Sequence, residues 1–191
     1  MVRDRIGRRW CLFIDRDGVI NRQIVGGYVR SWGDFEWLPG AVPALSALLG
    51  WAPYVVVATN QQGIGKGLMS SDDVSEIHRR IRAQTVRNGL AINAFQVCPH
   101  LESDHCSCRK PSPGLLLDWL RHRPEVDPAL SVMVGDSASD LELAHNLAAV
   151  TGGCASVHIG LLEDLDDAAD GSFNSLQEFT FAVISAMEKL R

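Results

Sequence analysis

Cys11-Leu12-Phe13-Ile14-Asp15-Arg16-Asp17-Gly18 is the stretch from which the fold can be read. Four apolar residues in a row, stopped by acids and a glycine, suit a strand buried on both faces, as in a parallel sheet. A carboxylate directly after such a strand lies at the sheet's rim, and Gly18 lets the chain turn away. Asp15 and Asp17 are therefore expected near each other. Two acids so placed repel unless a cation bridges them or one is protonated. A divalent, oxygen-seeking ion such as magnesium meets the first condition. Both conditions suit catalysis, in which one group attacks and the other carries a proton. Taken alone, the same residues would also fit an ordinary acidic turn at a strand end.

Working outward, apolar runs at 54–58, 94–97, 131–134 and 156–159 read as further strands. Helical patterns fall between and after them, at 42–49, 71–88, 113–121, 138–148 and 175–190. The second of these has Ser71 as its cap, with Asp72 and Asp73 in its first turn, and is expected to stop at Asn88-Gly89. Residues 23–37 read as a long loop with a short hairpin. Strands alternating with helices predict an α/β fold with a parallel sheet covered on both faces. Ligands bind such sheets where strands end. Asp15, Thr59 and Asp136 each follow a different strand, so they are expected to meet at one edge.

Asp136, in Gly135-Asp136-Ser137-Ala138-Ser139-Asp140, would complete an oxygen-rich magnesium site with Asp15. Asp140 also suits an acid in a helix's first turn. After the second strand, Thr59-Asn60-Gln61 offers a hydroxyl and free backbone N–H groups for phosphate oxygens. Lys110 offers a point charge to a phosphoryl oxygen, and Arg109 a planar fork to another part of a substrate.

Cys98-Pro99-His100 and Cys106-Ser107-Cys108 supply three thiolates and an imidazole, the donor set of a closed structural zinc site. Four protein ligands leave no place for a reacting water, so zinc is expected to shape the loop that carries Arg109 and Lys110. His105 ranks below His100 as the nitrogen donor. An odd number of cysteines (five), three of them clustered beside histidines, points to metal binding in a reducing, cytoplasmic compartment rather than to disulfides.

The length of 191 residues suits one domain, with residues 1–9 as a solvated, flexible arm. No apolar run is long enough for a membrane span, and the Arg-rich start lacks the apolar stretch of a signal peptide. A formal charge of −5 argues against a general nucleic-acid binder but leaves room for a small anionic substrate.

Four motifs in order, DRDG, TNQ-x-GI, CPH…C-x-CRKP and GD-x-x-x-D, resemble the histidinol-phosphate and heptose-bisphosphate phosphatase branch of the haloacid dehalogenase superfamily, from about Cys11 to Val150. The likeness is closer to the heptose-bisphosphate members, through Asp15–Asn21, Gly27–Val29, Asp34–Gly40, Thr59–Ile64 and Cys108–Gly114. It implies a Rossmann-like sheet without a large cap domain, and a monomer that hydrolyses a small phosphorylated metabolite through an aspartyl-phosphate. By matching position, Asp15 would be the nucleophile and Asp17 the acid and base. Magnesium would rest on the Asp15 carboxylate, the Asp17 carbonyl and Asp136, with Asp140 orienting its surroundings. Thr59 and Lys110 would steady the phosphoryl group, Asn60, Gln61 and Arg109 would contact substrate, and zinc would take Cys98, His100, Cys106 and Cys108. Two features depart from the heptose pattern: Ser137 stands where a lysine is usual, and the 23–27 segment is longer. Competing readings are histidinol phosphate as substrate, a polynucleotide 3′-phosphatase, and an inactive zinc-stapled binding module.

Overall fold

Residues 1–160 and 169–190 are described by a computed structural model. Strand β1 (Cys11–Ile14) lies at the centre of a six-stranded sheet. The others are β2 (Tyr54–Asn60), β3 (Ala94–Cys98), β4 (Val132–Gly135), β5 (Ala155–Ile159) and β6 (Gly171–Phe173), in the order β3-β2-β1-β4-β5-β6. Every neighbouring pair is parallel. The order reverses direction between β1 and β4, which opens a crevice beyond their carboxyl ends. This is the Rossmann-like architecture expected. Among the described residues, the connection from β1 to helix α1 (Ala41–Leu48) is a loop and forms no cap domain.

The period-two alternation of the central strands sorts their side chains between two cores. Leu12 and Ile14 of β1, with Val55 and Val57 of β2, pack under α1, α2 (Ser71–Thr85) and α5 (Leu176–Glu188). Cys11, Phe13, Val56 and Ala58 pack on the opposite face, under α3 (Gly114–Arg121) and α4 (Ala138–Thr151). Both faces are dry, which is why β1 reads as an unbroken apolar run. Each such fully buried large side chain contributes about 1.5–3 kcal/mol over exposure. Ile77 and Ile81, four residues apart, form the buried stripe of α2.

Some sequence signals have a different local use. The cap of α2 is Ser70, not Ser71: its hydroxyl accepts from the Asp73 N–H while the Asp73 carboxylate accepts from the Ser70 N–H. The helix ends at Thr85, and Asn88-Gly89 instead forms a two-residue turn, with φ of 51° and 79°. Arg87 and Leu90 exchange both backbone hydrogen bonds across it. Strand β6 was not foreseen, because three residues are too few to show a period. The N-terminal arm is anchored rather than free: the Arg9 carbonyl accepts from the Asp127 N–H at 2.7 Å and Arg8 pairs with the Asp127 carboxylate at 3.1 Å. Arg5 is buried, donating to the carbonyls of Leu130 at 2.6 Å and Met1 at 2.6 Å, whereas Arg3, Arg8 and Arg9 are exposed. In the long loop, Arg22 pairs with Glu36 through backbone and side chain, and Trp32 stacks on Phe35 at 4.6 Å. Among the described residues no helix is long and apolar enough to cross a membrane.

Candidate active site

The carboxyl ends of β1, β2 and β4 frame a cleft of about 260 Å³. Asp15, Asp17, Thr59, Asn60, Gln61, Lys110 and Asp136 all line it. The Asp15 N–H donates to the Val134 carbonyl at 2.8 Å, so the parallel ladder extends one residue past β1 and fixes where its carboxylate starts. Gly18 has φ of 91°, and any side chain there would strike the Asp136 carboxylate. The turn therefore depends on glycine twice, for backbone angle and for space.

Asp15, Asp136 and Asp140 each bring a carboxylate oxygen within 4.8 Å of the others. Lys110 faces this group, 2.6 Å from Asp15 Oδ1 and 2.7 Å from Asp140 Oδ1. A third bond runs from its Nζ to the Ala58 carbonyl at 3.2 Å, so all the ammonium's hydrogens are engaged. Three carboxylates against one ammonium leave an excess of two negative charges when all are ionised. The imbalance shows in proton affinity. Burial pushes Asp15 up to about 8; Lys110 opposes this, while Asp140 and Asp136 add to it. Burial and then Asp140 push Asp136 up to about 6, with Lys110 opposing. A buried oxygen cluster short of positive charge fits a hard divalent cation.

Asp17 is held differently from expectation. Its side chain lines the same cleft but is not part of the carboxylate cluster. Arg16, fully buried, donates from Nη2 to both its oxygens at 3.1 and 2.9 Å. Asn21 donates to Oδ1 at 2.9 Å and Gln61 to Oδ2 at 2.8 Å. Burial alone would raise its proton affinity, but Arg16 and these amides outweigh it and leave it below the usual carboxylate range. Arg16 and its second partner His78, 3.3 Å from Nη1, were missed by sequence reasoning. The arginine between the two acids was a visible signal; His78, on α2, carried none.

The polar loop after β2 is also committed within the protein. Asn60 accepts from the Lys110 N–H at 3.0 Å and donates to its carbonyl at 3.2 Å. Gln61 bridges Asp17 and the Thr59 hydroxyl, 2.8 Å from each. Both side chains, expected to contact substrate, line the cleft and also brace Lys110, Asp17 and Thr59. Arg109 is not among the residues lining the cleft, and its Nη1 is buried without a partner. Gln23, Ile24, Tyr28 and Val29 of the long loop do line it, as do Ser137 and Ser139. Ser137, the residue just before α4, also donates to the Asp140 carboxylate through its hydroxyl at 2.6 Å and its N–H at 3.3 Å. Asp140 thus serves as a helix cap, a partner of Lys110 and a member of the carboxylate cluster.

The cysteine loop lies beside this site. Cys98, His100, Cys106 and Cys108 converge, with Sγ–Sγ distances of 3.6, 3.4 and 3.4 Å and His100 Nδ1 at 3.1 Å from Cys108. A tetrahedron with zinc–sulfur bonds of about 2.3 Å has sulfur–sulfur edges of roughly 3.7 Å, so the donors are spaced for one such ion. His105 is outside the group.

The family model described as polynucleotide kinase 3 phosphatase matches residues 13–181. A D-glycero-alpha-D-manno-heptose-1,7-bisphosphate 7-phosphatase of Mycobacterium bovis is 61% identical over 183 residues, 96% of each chain. A D-glycero-beta-D-manno-heptose-1,7-bisphosphate 7-phosphatase of Rhodopseudomonas palustris is 39% identical over 72% of this chain and 78% of its own. Among solved structures, a D,D-heptose 1,7-bisphosphate phosphatase from B. bronchiseptica, in complex with magnesium and phosphate, superposes with a TM-score of 0.80. It is 30% identical, and the match covers 93% of this chain and 99% of that one. The chain belongs to the haloacid dehalogenase phosphatases, in the branch that holds the heptose-bisphosphate enzymes.

Proposed function

We propose that the whole chain acts as one catalytic unit, a magnesium-dependent phosphatase that removes the 7-phosphate of D-glycero-D-manno-heptose 1,7-bisphosphate and prefers the alpha anomer. The observation that carries the reading is the cleft, where Asp15 and Asp136, from opposite sides of the strand-order reversal, share a cluster with Lys110. The alpha preference rests on the 61% identity to the Mycobacterium bovis enzyme, against 39% for a relative named for the beta form.

Asp15, the Asp17 carbonyl and Asp136 would hold magnesium, and the bound ion would draw charge from the phosphoryl oxygens. Lys110 pins Asp15 Oδ1, which leaves Oδ2 to attack phosphorus in line. The bond from phosphorus to the sugar oxygen breaks as the bond to Asp15 forms. Asp17 gives its proton to the departing sugar oxygen, then takes one from the water that releases inorganic phosphate from Asp15. A phosphate dianion against Asp17 opposes the hold of Arg16 and raises its proton affinity for this work. Thr59, beside Gln61, donates to a phosphoryl oxygen. Arg109, next to Lys110 in the chain, recognises the far part of the sugar. Zinc on Cys98, His100, Cys106 and Cys108 would fix the loop just ahead of Arg109 and Lys110. The protein's cysteines are unpaired, which suits a reducing compartment such as the cytoplasm.

Phosphate release with magnesium, measured across both heptose bisphosphate anomers, sugar monophosphates, histidinol phosphate and a 3′-phosphorylated oligonucleotide, tests the reading. The highest kcat/KM is expected for the alpha bisphosphate. A higher value for histidinol phosphate or the oligonucleotide would overturn it.

A further inference from the structure

Arg16 lies wholly inside the protein between a carboxylate and an imidazole. Its Nη2 holds both oxygens of Asp17 and its Nη1 lies 3.3 Å from His78 Nε2, while its Nε finds no partner. A guanidinium has only donors, so His78 must accept through a bare Nε2 and stay neutral. The His78 ring is in turn fixed. It lies flat on Phe95 of β3, 4.3 Å away at 13°, and stands on α2 next to the buried Ile77. Asn21 and Gln61 hold Asp17 from its other sides, but Asn21 is a neighbour in the same turn and Gln61 also serves Thr59. Gln61 ties Asp17 to β2, whereas Arg16 ties it to α2, with His78 as the anchor at its far end.

We infer that His78 is a positioning residue for proton transfer: by accepting from Arg16 Nη1 it sets the guanidinium plane, and thereby the direction in which Asp17 offers its proton to the leaving oxygen. The inference rests on the reading of Asp17 as the acid. Loss of the imidazole acceptor leaves Arg16 with a second orphaned nitrogen in the core, and the guanidinium turns to seek another partner. Asp17, held through two of its bonds by that group, turns with it.

The test separates geometry from folding through the leaving group. A sugar oxygen needs a proton as it departs, whereas p-nitrophenolate leaves well without one. His78→Phe keeps a flat ring on Phe95 but cannot accept; His78→Gln can accept at a similar reach; His78→Asn is too short. For His78→Phe, the first-turnover release of the sugar from the heptose bisphosphate should slow about tenfold, part of the hundredfold or more that an acid contributes. First-turnover release of p-nitrophenolate, which needs no proton and precedes hydrolysis of the phosphate on Asp15, should stay within about twofold, and His78→Gln should recover most of the loss. If His78→Phe does not give a wild-type circular dichroism spectrum, the comparison of His78→Gln with His78→Asn carries the same contrast. Equal losses on both substrates, no loss on either, or a Gln variant no better than Phe or Asn would overturn the inference. A wild-type protein inactive on every phosphate ester would instead overturn the functional reading beneath it.

Discussion

Two polar clusters sit at the same sheet edge and are built on opposite principles. The Asp15–Asp136–Asp140 group offers only oxygens, opens to a cleft, and carries a lysine that balances part of its charge. The Cys98–His100–Cys106–Cys108 group offers sulfur and nitrogen, closes on itself in one loop, and none of its members lines that cleft. An incompletely neutralised oxygen cluster beside open space can accept a cation and a phosphate together and release one of them. A complete soft-donor tetrad beside a buried core can only hold its ion. Under the function proposed, the first is a place for turnover and the second a staple, and substitutions should separate the two.

The largest effect is expected for Asp15→Asn. Phosphate release should fall by more than roughly a thousandfold while the thermal midpoint stays level or rises, because a buried carboxylate among like charges has been removed. A variant with near-normal turnover would remove the nucleophile from the account. Lys110→Met should break both activity and balance: losing one side of a buried ion pair costs about 3–5 kcal/mol, and magnesium should return part of it. Urea melts with and without magnesium measure this, and a stability indifferent to the ion would mean that the carboxylates do not hold it. Cys106→Ser should act on the other region, lowering zinc content by elemental analysis and stability by at least about 2 kcal/mol, with a smaller loss of kcat than Asp15→Asn. Full stability with no zinc would dissolve the contrast between staple and reaction centre.

The smallest effect concerns acid sensitivity next to the cleft. Burial first, then Arg16 and Arg82, push His78 down to about 3, with Asp17 opposing. The unfolded chain accepts a proton below the ordinary 6.5 that the folded chain refuses. The stability linked to this group is therefore complete above that pH and is lost as pH falls toward 3. His78→Gln should lose less stability than wild type between about pH 7 and about pH 5 in urea melts. Parallel losses would show that His78 is not kept neutral.

Much of this was legible in the chain because it is local. β1 is readable since both its faces are buried, and the zinc donors since their spacing alone brings them together. Asp15, Asp136 and Lys110 were found because strand ends and loop motifs mark them. What could not be read depends on long-range placement. His78 sits on the apolar side of an ordinary amphipathic helix, and only the fold brings it to Arg16. Asp17 was expected beside Asp15, and both line one cleft, but the buried arginine that holds its carboxylate could be assigned that partner only from the fold. That Asn60 and Gln61 also brace Lys110, Asp17 and Thr59 through their amides depends on long-range placement and could not be read from the chain.

The most direct measurement of the central claim is mass spectrometry of peptides from enzyme quenched in acid during turnover of the heptose bisphosphate with magnesium. The account predicts that the peptide containing Asp15 gains one phosphoryl group, and that the gain vanishes in Asp15→Asn and when the ion is chelated. Rapid turnover with the label on another residue, or a label on Asp15 that forms equally well without a divalent cation, would contradict it.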